Sequence, residues 1–462
     1  MGICSKKITF LFLFVPFLAF AQNNEPALKL DLPLFDLPYQ IDAMNTVGHG
    51  FFSSYANPSM AQSLAVSTDI VSSFHFGVKA LFDNWDLNVS IGLLDLKSFL
   101  YDLGLIYGNL FLLFYIPGGE GWVHEEFHRA VMTRHKVNSF NDMNTFPIGA
   151  ELISVNSITD EDLIRFKAES PTDFVRMHAA GMEGDLVLLD NLRRNSFFYA
   201  QQLRFFWLDI FVTLNSHFYI IASGDPKQVN SSVDEMNKKE ASVLSRDFTG
   251  FDMIGWAYDL FRPDEPYSDR GLHPSGIGIN RYIKTTDLTH EELSYLHAQR
   301  YWYIFNYVSP MLFSVERIAL GDNGFYGNFA FRHFLTSFGT DILLKVFLKK
   351  DIYNMVFAFH NYMNYEHWFP AIEAELVDFP LSLGSLNLYL SPRTLIGVQP
   401  KNQRFKTKTS EFIGLAGCRV DFNISRHLLP YFDITAKTDG WVAGNEFLEE
   451  NVSVKLGLSA RF

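Results

Sequence analysis

The sequence predicts an α+β protein with two parts. A mainly helical domain spans residues 58–326, and an antiparallel transmembrane β-barrel of about eight or more strands spans residues 327–462. The helical part shows apolar residues at helical spacing with capping residues beside them, whereas the C-terminal part alternates apolar and polar residues. Aromatic residues make up 16% and charged residues 19% of the chain, an unusually apolar balance for a soluble enzyme.

Residues 1–21 have the features of a secretory signal peptide. Lys6 and Lys7 form a positive start, Ile8–Phe20 is an apolar run too short to span a bilayer, and Ala19–Ala21 is a small-x-small cleavage site. Cleavage there makes Gln22 the mature N-terminus. Residues 22–57 are then expected to be an N-terminal extended segment that precedes the helical domain.

Helix signals dominate between residues 58 and 326. Ser170-Pro171 offers an N-cap followed by proline at the first helical position, and Thr289 with Glu292 fits a capping box. Leu103–Ile116 and Leu203–Ile221 are strongly apolar, but polar or small residues interrupt both. We therefore expect them to be core helices rather than membrane-spanning ones.

The most informative motif is His124-Glu125-Glu126-Phe127-His128, a His-Glu-x-x-His sequence within an apolar helical pattern. Two histidines four residues apart lie on one face of a helix, so their imidazoles can bind one metal ion. Glu125 projects beside them and can take a proton from a metal-activated water. The motif predicts a zinc site in which His124 and His128 are ligands and Glu125 is the general base.

A catalytic zinc usually has three protein ligands, so a third must be found elsewhere. His135 shares the face of the helix but lies about 10 Å along the axis from His128, too far for one metal. The metzincin pattern fails because Arg134 stands where its third histidine belongs. The best candidate is Glu183, on the helix predicted to start near Pro171, where small residues would allow a close approach. His178 and Asp185 remain alternative third ligands.

The His-Glu-x-x-His helix followed by a helical glutamate resembles the gluzincin metallopeptidases over the short segment from His124 to Glu183. The resemblance implies a zincin-like helical domain with His124, His128 and Glu183 as zinc ligands and Glu125 as general base. It departs from a common pattern of that family at Val187, where an aspartate is usual.

The C-terminal part predicts the β-barrel. Asn451–Phe462 alternates without interruption, with apolar residues on one face and Ser, Lys, Gly and Arg on the other, over the length of a tilted transmembrane strand. The pattern recurs upstream, and a further strand at Trp85–Leu93 would make the helical part an insertion into the barrel. The upstream strands are predicted at Ile352–Met363, Trp368–Phe379, Leu386–Leu390 (ending at Ser391-Pro392), Glu411–Phe422 and Leu429–Lys437.

A chain ending on Phe462 after such a strand resembles bacterial outer-membrane β-barrels. The resemblance implies an outer-membrane location, reached by a cleaved signal peptide, and contact with outer-membrane lipid. The net charge of −13 and the lack of a basic patch argue against nucleic-acid binding. Since Cys4 leaves with the leader, Cys418 is the only cysteine expected in the mature chain, and no internal disulfide can form.

Together these features predict an outer-membrane zinc metallopeptidase that hydrolyses peptide bonds. Two alternatives stay open. In one, the protein is a non-catalytic barrel whose helices plug the pore or dock partners, and the histidines are structural. In the other, the same metal site hydrolyses a lipid-like, non-peptide substrate, which the apolar surroundings would suit.

Overall fold

The computed structural model describes residues 27–46, 56–86, 90–91, 94–144, 154–199, 203–239, 242–321, 323–384, 386–425 and 427–462. The predicted signal peptide, with its cleavage site, lies outside these residues. Within them the protein is α+β, as predicted: helices occupy most of the first two-thirds of the chain, and a large antiparallel sheet occupies the last third.

The helices begin where the sequence offers caps or breaks. Ser59 and Gln62 form a capping box at one, Thr289 and Glu292 form the predicted box at another, and Pro171 is the first residue of a third. The helices are α1 Tyr39–Thr46, α2 Met60–Asp83, α3 Leu96–Tyr115, α4 Glu120–Arg134, α5 Asp160–Glu169, α6 Pro171–Phe198, α7 Phe206–Ser223, α8 Pro226–Lys239, α9 Asp252–Phe261 and α10 His290–Trp302.

The strands form one large sheet and two short ribbons. They are β1 Lys29–Leu37, β2 Ser90–Ile91, β3 Leu94–Asp95, β4 Phe140–Asn141, β5 Val155–Asn156, β6 Ile318–Ala319, β7 Phe325–Thr336, β8 Gly339–Lys350, β9 Tyr353–Asn364, β10 His367–Val377, β11 Phe379–Leu383, β12 Leu386–Pro400, β13 Ser410–Phe422, β14 Leu428–Lys437 and β15 Asn451–Arg461. The large sheet has 11 strands in the order β1-β15-β14-β13-β12-β10-β9-β8-β7-β6, with β11 beside β12.

The alternating segments are strands close to their predicted bounds, except for the one predicted to stop at Ser391-Pro392. There β12 continues to Pro400, with Pro392 opposite Cys418. On its other side β12 changes partner at this point, from β11 up to Leu390 to β10 from Arg393. Pro392 therefore lies at a gap in the pairing on that side of β12, a place where the missing N–H of a proline is tolerated.

The strand that the N-terminal part contributes to the large sheet is β1, and not the predicted Trp85–Leu93. β1 pairs antiparallel with β15, so the helical part of the chain is indeed inserted between strands of the large sheet. In the predicted segment, Ser90–Ile91 pairs only with Leu94–Asp95, and residues 87–89 and 92–93 lie outside the described part of the chain.

The exposed face of the sheet is apolar and the covered face carries charged residues, which is unusual for a soluble protein. On one face apolar side chains such as Ile396, Phe412 and Val452 are more than half exposed. On the other face charged residues form ion pairs, as between Arg393 and Asp433 at 2.6 Å. The charged face is the one that an interior normally fills with apolar side chains.

Helix α6 lies against the charged face of the sheet. Asp190 of α6 forms ion pairs with Arg332 of β7 at 2.7 Å and with Lys345 of β8 at 2.8 Å. Arg194 of α6 forms another with Glu375 of β10. Its last residues, Phe197 and Phe198, pack on Phe347 of β8 in a small apolar cluster. Helix α6 therefore joins the sheet to the helical part through both ion pairs and apolar packing.

The described strands do not close into a barrel by hydrogen bonds, so the predicted closed barrel is not confirmed. At one edge of the sheet the Asp31 N–H of β1 donates to Asp69 of α2 at 3.0 Å. At the other edge the Phe331 N–H of β7 donates to the Val308 carbonyl at 3.0 Å. Helical segments and the residues beside them therefore cover part of each edge and bind some of its backbone groups.

Helix α3 is more exposed than a core helix. Among the described residues one helical stretch, Leu96–Arg134, is long and apolar enough to cross a membrane. A segment of 18 residues within it has a mean hydropathy of 1.6, and only 28% of that segment is buried. The exposed part belongs to α3, because nearly every residue of α4 is buried. The prediction that the apolar segment Leu103–Ile116 is a core helix is therefore wrong.

The pairing of β1 with β15 can be tested by disulfide trapping. Leu32 and Leu458 are opposite each other, and opposite residues of an antiparallel pair have Cα atoms about 4.5–5.5 Å apart, within reach of a disulfide. In a Cys418→Ser background, Leu32→Cys with Leu458→Cys should form a cross-link, visible as faster migration on a non-reducing gel. Leu32→Cys with Ile434→Cys, on the next strand over, should not. A cross-link in the second pair alone would contradict the strand order.

Candidate metal centre

The His-Glu-x-x-His motif lies on α4, as predicted, and the start of this helix is fixed by two glycines. Gly118 has a φ of +89°, and a Cβ on Gly119 would lie 1.8 Å from the Leu112 carbonyl oxygen. The chain can turn this tightly between α3 and α4 only without side chains at these positions. The turn sends α4 into the interior, where it packs along α6.

Both imidazoles are held by hydrogen bonds that they donate to groups on α6. His128 Nδ1 donates to the Met177 carbonyl at 2.5 Å, and His124 Nδ1 donates to the Asp185 carboxylate at 3.0 Å. Because Nδ1 carries the proton in each ring, the lone pair of each neutral ring is on Nε2. Such outer hydrogen bonds are typical of metal-ligating histidines.

The two Nε2 atoms face a carboxylate that the sequence did not single out. Asp252 Oδ2 lies 3.3 Å from His124 Nε2 and 3.5 Å from His128 Nε2. His128 Nε2 is fully buried and has no hydrogen-bond partner. Three electron-pair donors therefore converge on one point, within 4.8 Å of one another, and could hold a metal ion.

Gly181 lets α6 approach both imidazoles closely. A Cβ at this position would lie 2.3 Å from both His124 Nε2 and His128 Nε2. That distance is well inside van der Waals contact, so a side chain here would displace the two rings. The close approach predicted from the small residues around Gly181 is thus present, and it keeps both Nε2 atoms clear of an α6 side chain.

Asp252 is positioned by the turn that precedes α9. Gly250 has a φ of +82°, and the Asp247 carboxylate accepts its N–H at 3.0 Å. The Asp252 N–H then donates to the Tyr219 hydroxyl of α7 at 2.9 Å. Asp252 is the first residue of α9, where the helix dipole favours a negative charge.

The electrostatics of the centre favour a bound cation. Although burial lowers the pKa of His124, Asp185 and Asp252 outweigh it and raise that pKa well above its usual value. Burial raises the pKa of Glu125 to about 8, with His124 and His128 opposing the shift. A carboxylate this buried stays ionised at neutral pH only with a positive charge beside it, and a divalent ion at the imidazoles would supply one.

The structure does not bring Glu183 to the histidines. Its carboxylate accepts from Arg176 at 2.9 Å, the Gly444 N–H at 2.7 Å and the Trp441 indole at 3.2 Å. Gly444 and Trp441 belong to the loop between β14 and β15. With all these donors on it, Glu183 fastens this loop to α6.

The two alternative ligands also have other partners. Asp185 binds Nδ1 of His124 rather than the metal position, so it orients a ligand. His178 Nε2 binds Asp259 at 2.8 Å, and burial lowers the pKa of His178. Asp259 is also bound by Lys167 and Arg270, which makes this a separate buried ion cluster.

Asp252 is the residue of the centre that sequence reasoning missed. It is far from the motif in sequence, and its segment contains no metal-binding pattern. The available signal was a glycine turn at Gly250 followed by an acidic residue at the start of an apolar helix. Many helices begin in this way, so the signal alone could not select it.

Comparison with known proteins adds no relative: no family model, no curated protein and no solved structure matches the chain. Inferences about its function therefore rest on the residues of the chain itself.

Gly181 gives a direct test of the space between the imidazoles. Gly181→Ala should reduce zinc bound per chain from about one to near zero, because the added Cβ would lie 2.3 Å from both Nε2 atoms and push the two imidazoles out of position. Gly77→Ala is the matched control: this glycine is also helical, a Cβ there meets nothing within 4 Å, and zinc should be unchanged. Metal analysis of the purified variants checks both, and full zinc in Gly181→Ala would contradict the geometry.

Asp252 and Glu183 can be separated by their different effects. Asp252→Asn should weaken zinc binding by more than the roughly 10–100-fold typical of an outer hydrogen-bond partner, with little loss of stability. Glu183→Gln should keep zinc and lower the free energy of unfolding by about 3–5 kcal/mol, since Arg176 is left buried without its charge partner. Zinc titration and denaturant unfolding measure the two effects. If instead Glu183→Gln lost zinc and Asp252→Asn kept it, Glu183 would be the third zinc ligand.

Proposed function

We propose that the protein is a zinc-dependent metallopeptidase of the outer membrane, with His124, His128 and Asp252 as zinc ligands and Glu125 as general base. The observation that supports this most is the convergence of two Nε2 atoms and one carboxylate oxygen, which lie within 4.8 Å of one another beside the side-chain-free Gly181. Glu125 follows His124 directly on α4, so it is carried to the same centre.

Zinc, when bound, would polarise the scissile carbonyl and lower the pKa of water. Glu125 accepts the proton of the attacking water and passes it to the leaving amine. Asp185 and the Met177 carbonyl keep the two imidazoles in the tautomer that presents Nε2. The Tyr219 hydroxyl holds the backbone of Asp252 and so fixes the third ligand.

We place the protein in the outer membrane, with the large sheet facing lipid as a barrel-like wall and outer-membrane lipid as a partner. Two properties of the sheet support this: its outer face exposes apolar residues such as Phe432 and Ile434, and its inner face carries ion pairs. That alternation is the pattern of transmembrane strands. Export by the predicted signal peptide would bring the chain there.

One observation favours a second candidate, hydrolysis of a lipid-like substrate by the same centre. Helix α7 contacts the centre through Ser216, which donates to Asp185 at 3.2 Å, and through Tyr219. The opposite side of α7 exposes Leu214 and Phe218. An apolar substrate could therefore approach within one helix diameter of the metal ligands.

Glu125 provides the test of catalysis. Glu125→Gln should keep about one zinc per chain but lower kcat by roughly 10²–10⁴-fold, the usual contribution of a general base. Turnover is measured with the zinc-loaded protein on a panel of peptides and lipid esters, so that the panel also separates the two candidate substrates.

The control is Glu126→Gln on the same helix. Glu126 pairs with Arg129 and accepts from Asn141, so this change should reduce stability and leave turnover per folded molecule close to wild type. Unchanged turnover in Glu125→Gln would refute the mechanism. A zinc-bound wild type that hydrolyses nothing on the panel would favour the non-catalytic alternative.

A further inference from the structure

A continuous series of contacts joins one edge of the large sheet to the other through helices. Next to β1 lies α2, whose Asp69 accepts the Asp31 N–H. Next to α2 lies α3, packed so closely that a Cβ on Gly108 would lie 1.9 Å from Phe74 of α2. Next to α3 lies α7.

The series continues from α7 to β7. His217 of α7 contacts the Tyr307 hydroxyl at 3.0 Å and the Arg300 carbonyl at 2.9 Å. The segment after Arg300 then pairs with β7, where Asn306 accepts the His333 N–H at 3.1 Å and the Ser309 hydroxyl donates to the Phe329 carbonyl. The helices thus connect β1 with β7, so the contacts form a closed ring although the described strands of the sheet do not close by hydrogen bonds.

We propose that α3 and α7 form the remaining part of the lipid-facing wall, so that the bilayer contacts a ring made of eleven strands and these helices. The occupant of their exposed faces is phospholipid acyl chains. This inference rests on the membrane location in the proposed function, and it adds that the gap in the sheet is filled by helices rather than by strand pairing.

The exposed large side chains of α3 are all aromatic. One lies in the first turn and the other four lie between residues 107 and 115, within one broad side of the helix. They are Phe99, Tyr107, Phe111, Phe114 and Tyr115. From Leu103 to Tyr115 the helix contains no charged residue, so this face lacks the groups that normally keep a helix soluble.

Helix α7 has two distinct faces. Its inward face carries the polar residues Ser216 and Tyr219, which contact Asp185 and Asp252, together with Asp209, which is paired with Arg193. Its outward face exposes Leu214, Phe218 and Ile221. A helix that separates polar and apolar residues in this direction has its polar side toward the protein interior, as expected when lipid is outside.

The dimensions of the two helices identify lipid as the occupant. At 1.5 Å per residue, the 20 residues of α3 and the 18 of α7 extend about 30 Å and 27 Å, close to the hydrocarbon thickness of a bilayer of about 30 Å. A soluble monomer rarely exposes so large an apolar area.

Site-directed spin labelling of the full chain tests the inference. In a Cys418→Ser background, with zinc bound, one cysteine at a time is introduced as Tyr107→Cys on α3, Phe218→Cys on α7, Ile396→Cys on the sheet and Ser231→Cys on polar α8. The labelled proteins are reconstituted in palmitoyl-oleoyl phosphatidylcholine vesicles. Collision with oxygen, which concentrates in acyl chains, is compared with collision with a water-soluble nickel chelate.

The expected result is severalfold greater accessibility to oxygen than to nickel at Tyr107, Phe218 and Ile396, with the reverse at Ser231. Zinc content of each variant checks its folding, and Leu214→Cys replaces Phe218→Cys if that variant loses zinc. A lipid-exposed Ile396 with nickel-accessible helix positions would overturn the inference while leaving the membrane location in place.

Two other outcomes also count against the inference. Helix positions shielded from both reagents would mean that a protein surface, such as a second copy, covers them. Nickel-accessible labels at all four positions would instead overturn the membrane location itself, and with it the inference.

Discussion

The close packing of α6 on α4 is the constraint on which the rest of the structure depends. Gly181 lets the α6 backbone lie against both imidazoles, and the same helix supplies the Met177 carbonyl and the Asp185 carboxylate that hold their Nδ1 atoms. One helix thus fixes the tautomers, the ring orientations and the space between the rings. A larger residue at position 181 would remove all three together, because the two helices could no longer approach.

The same helix connects the metal centre with the sheet. Its middle carries Glu183, which fastens the loop between β14 and β15, and its last turns carry Asp190 and Arg194, which pair with strand residues. The Arg332–Asp190 pair is buried, so removal of one partner leaves an unpaired charge in a low-dielectric interior, whereas the Arg194–Glu375 pair is partly exposed. The charged residues on the inner face of the sheet are therefore complementary to α6, and they tie the orientation of the strands to that of the helices that carry the candidate metal centre.

The sequence predicts local structure well wherever one periodicity dominates. The alternation in Asn451–Phe462 gives β15 nearly to the residue, and the helical spacing around His124 gives α4. The third ligand could not be predicted, because it depends on a contact between distant segments, and Glu183 and Asp252 are chemically equivalent until their neighbours are known. Helix α3 was misjudged for a related reason. In the sequence, Gly104 and Gly108 interrupt the apolar segment and so argued for a core helix. In the structure, Gly108 provides the space in which the Phe74 ring of α2 packs.

The charge of the centre gives the strongest physical reason to expect a cation there. Asp252, Asp185, Glu125 and Glu120 are all buried around two imidazoles, and burial raises the pKa of Glu120 well above its usual value. Because these acids lie in the interior, their charges are screened much less than they would be in water. Without a metal, protons on Glu120 and Glu125 and on the two imidazoles would neutralise the cluster, and protonation of the rings would remove the lone pairs on Nε2. A divalent ion at that point neutralises two charges at once and uses the lone pairs as ligands, which is the arrangement that the hydrogen bonds of His124 and His128 prepare.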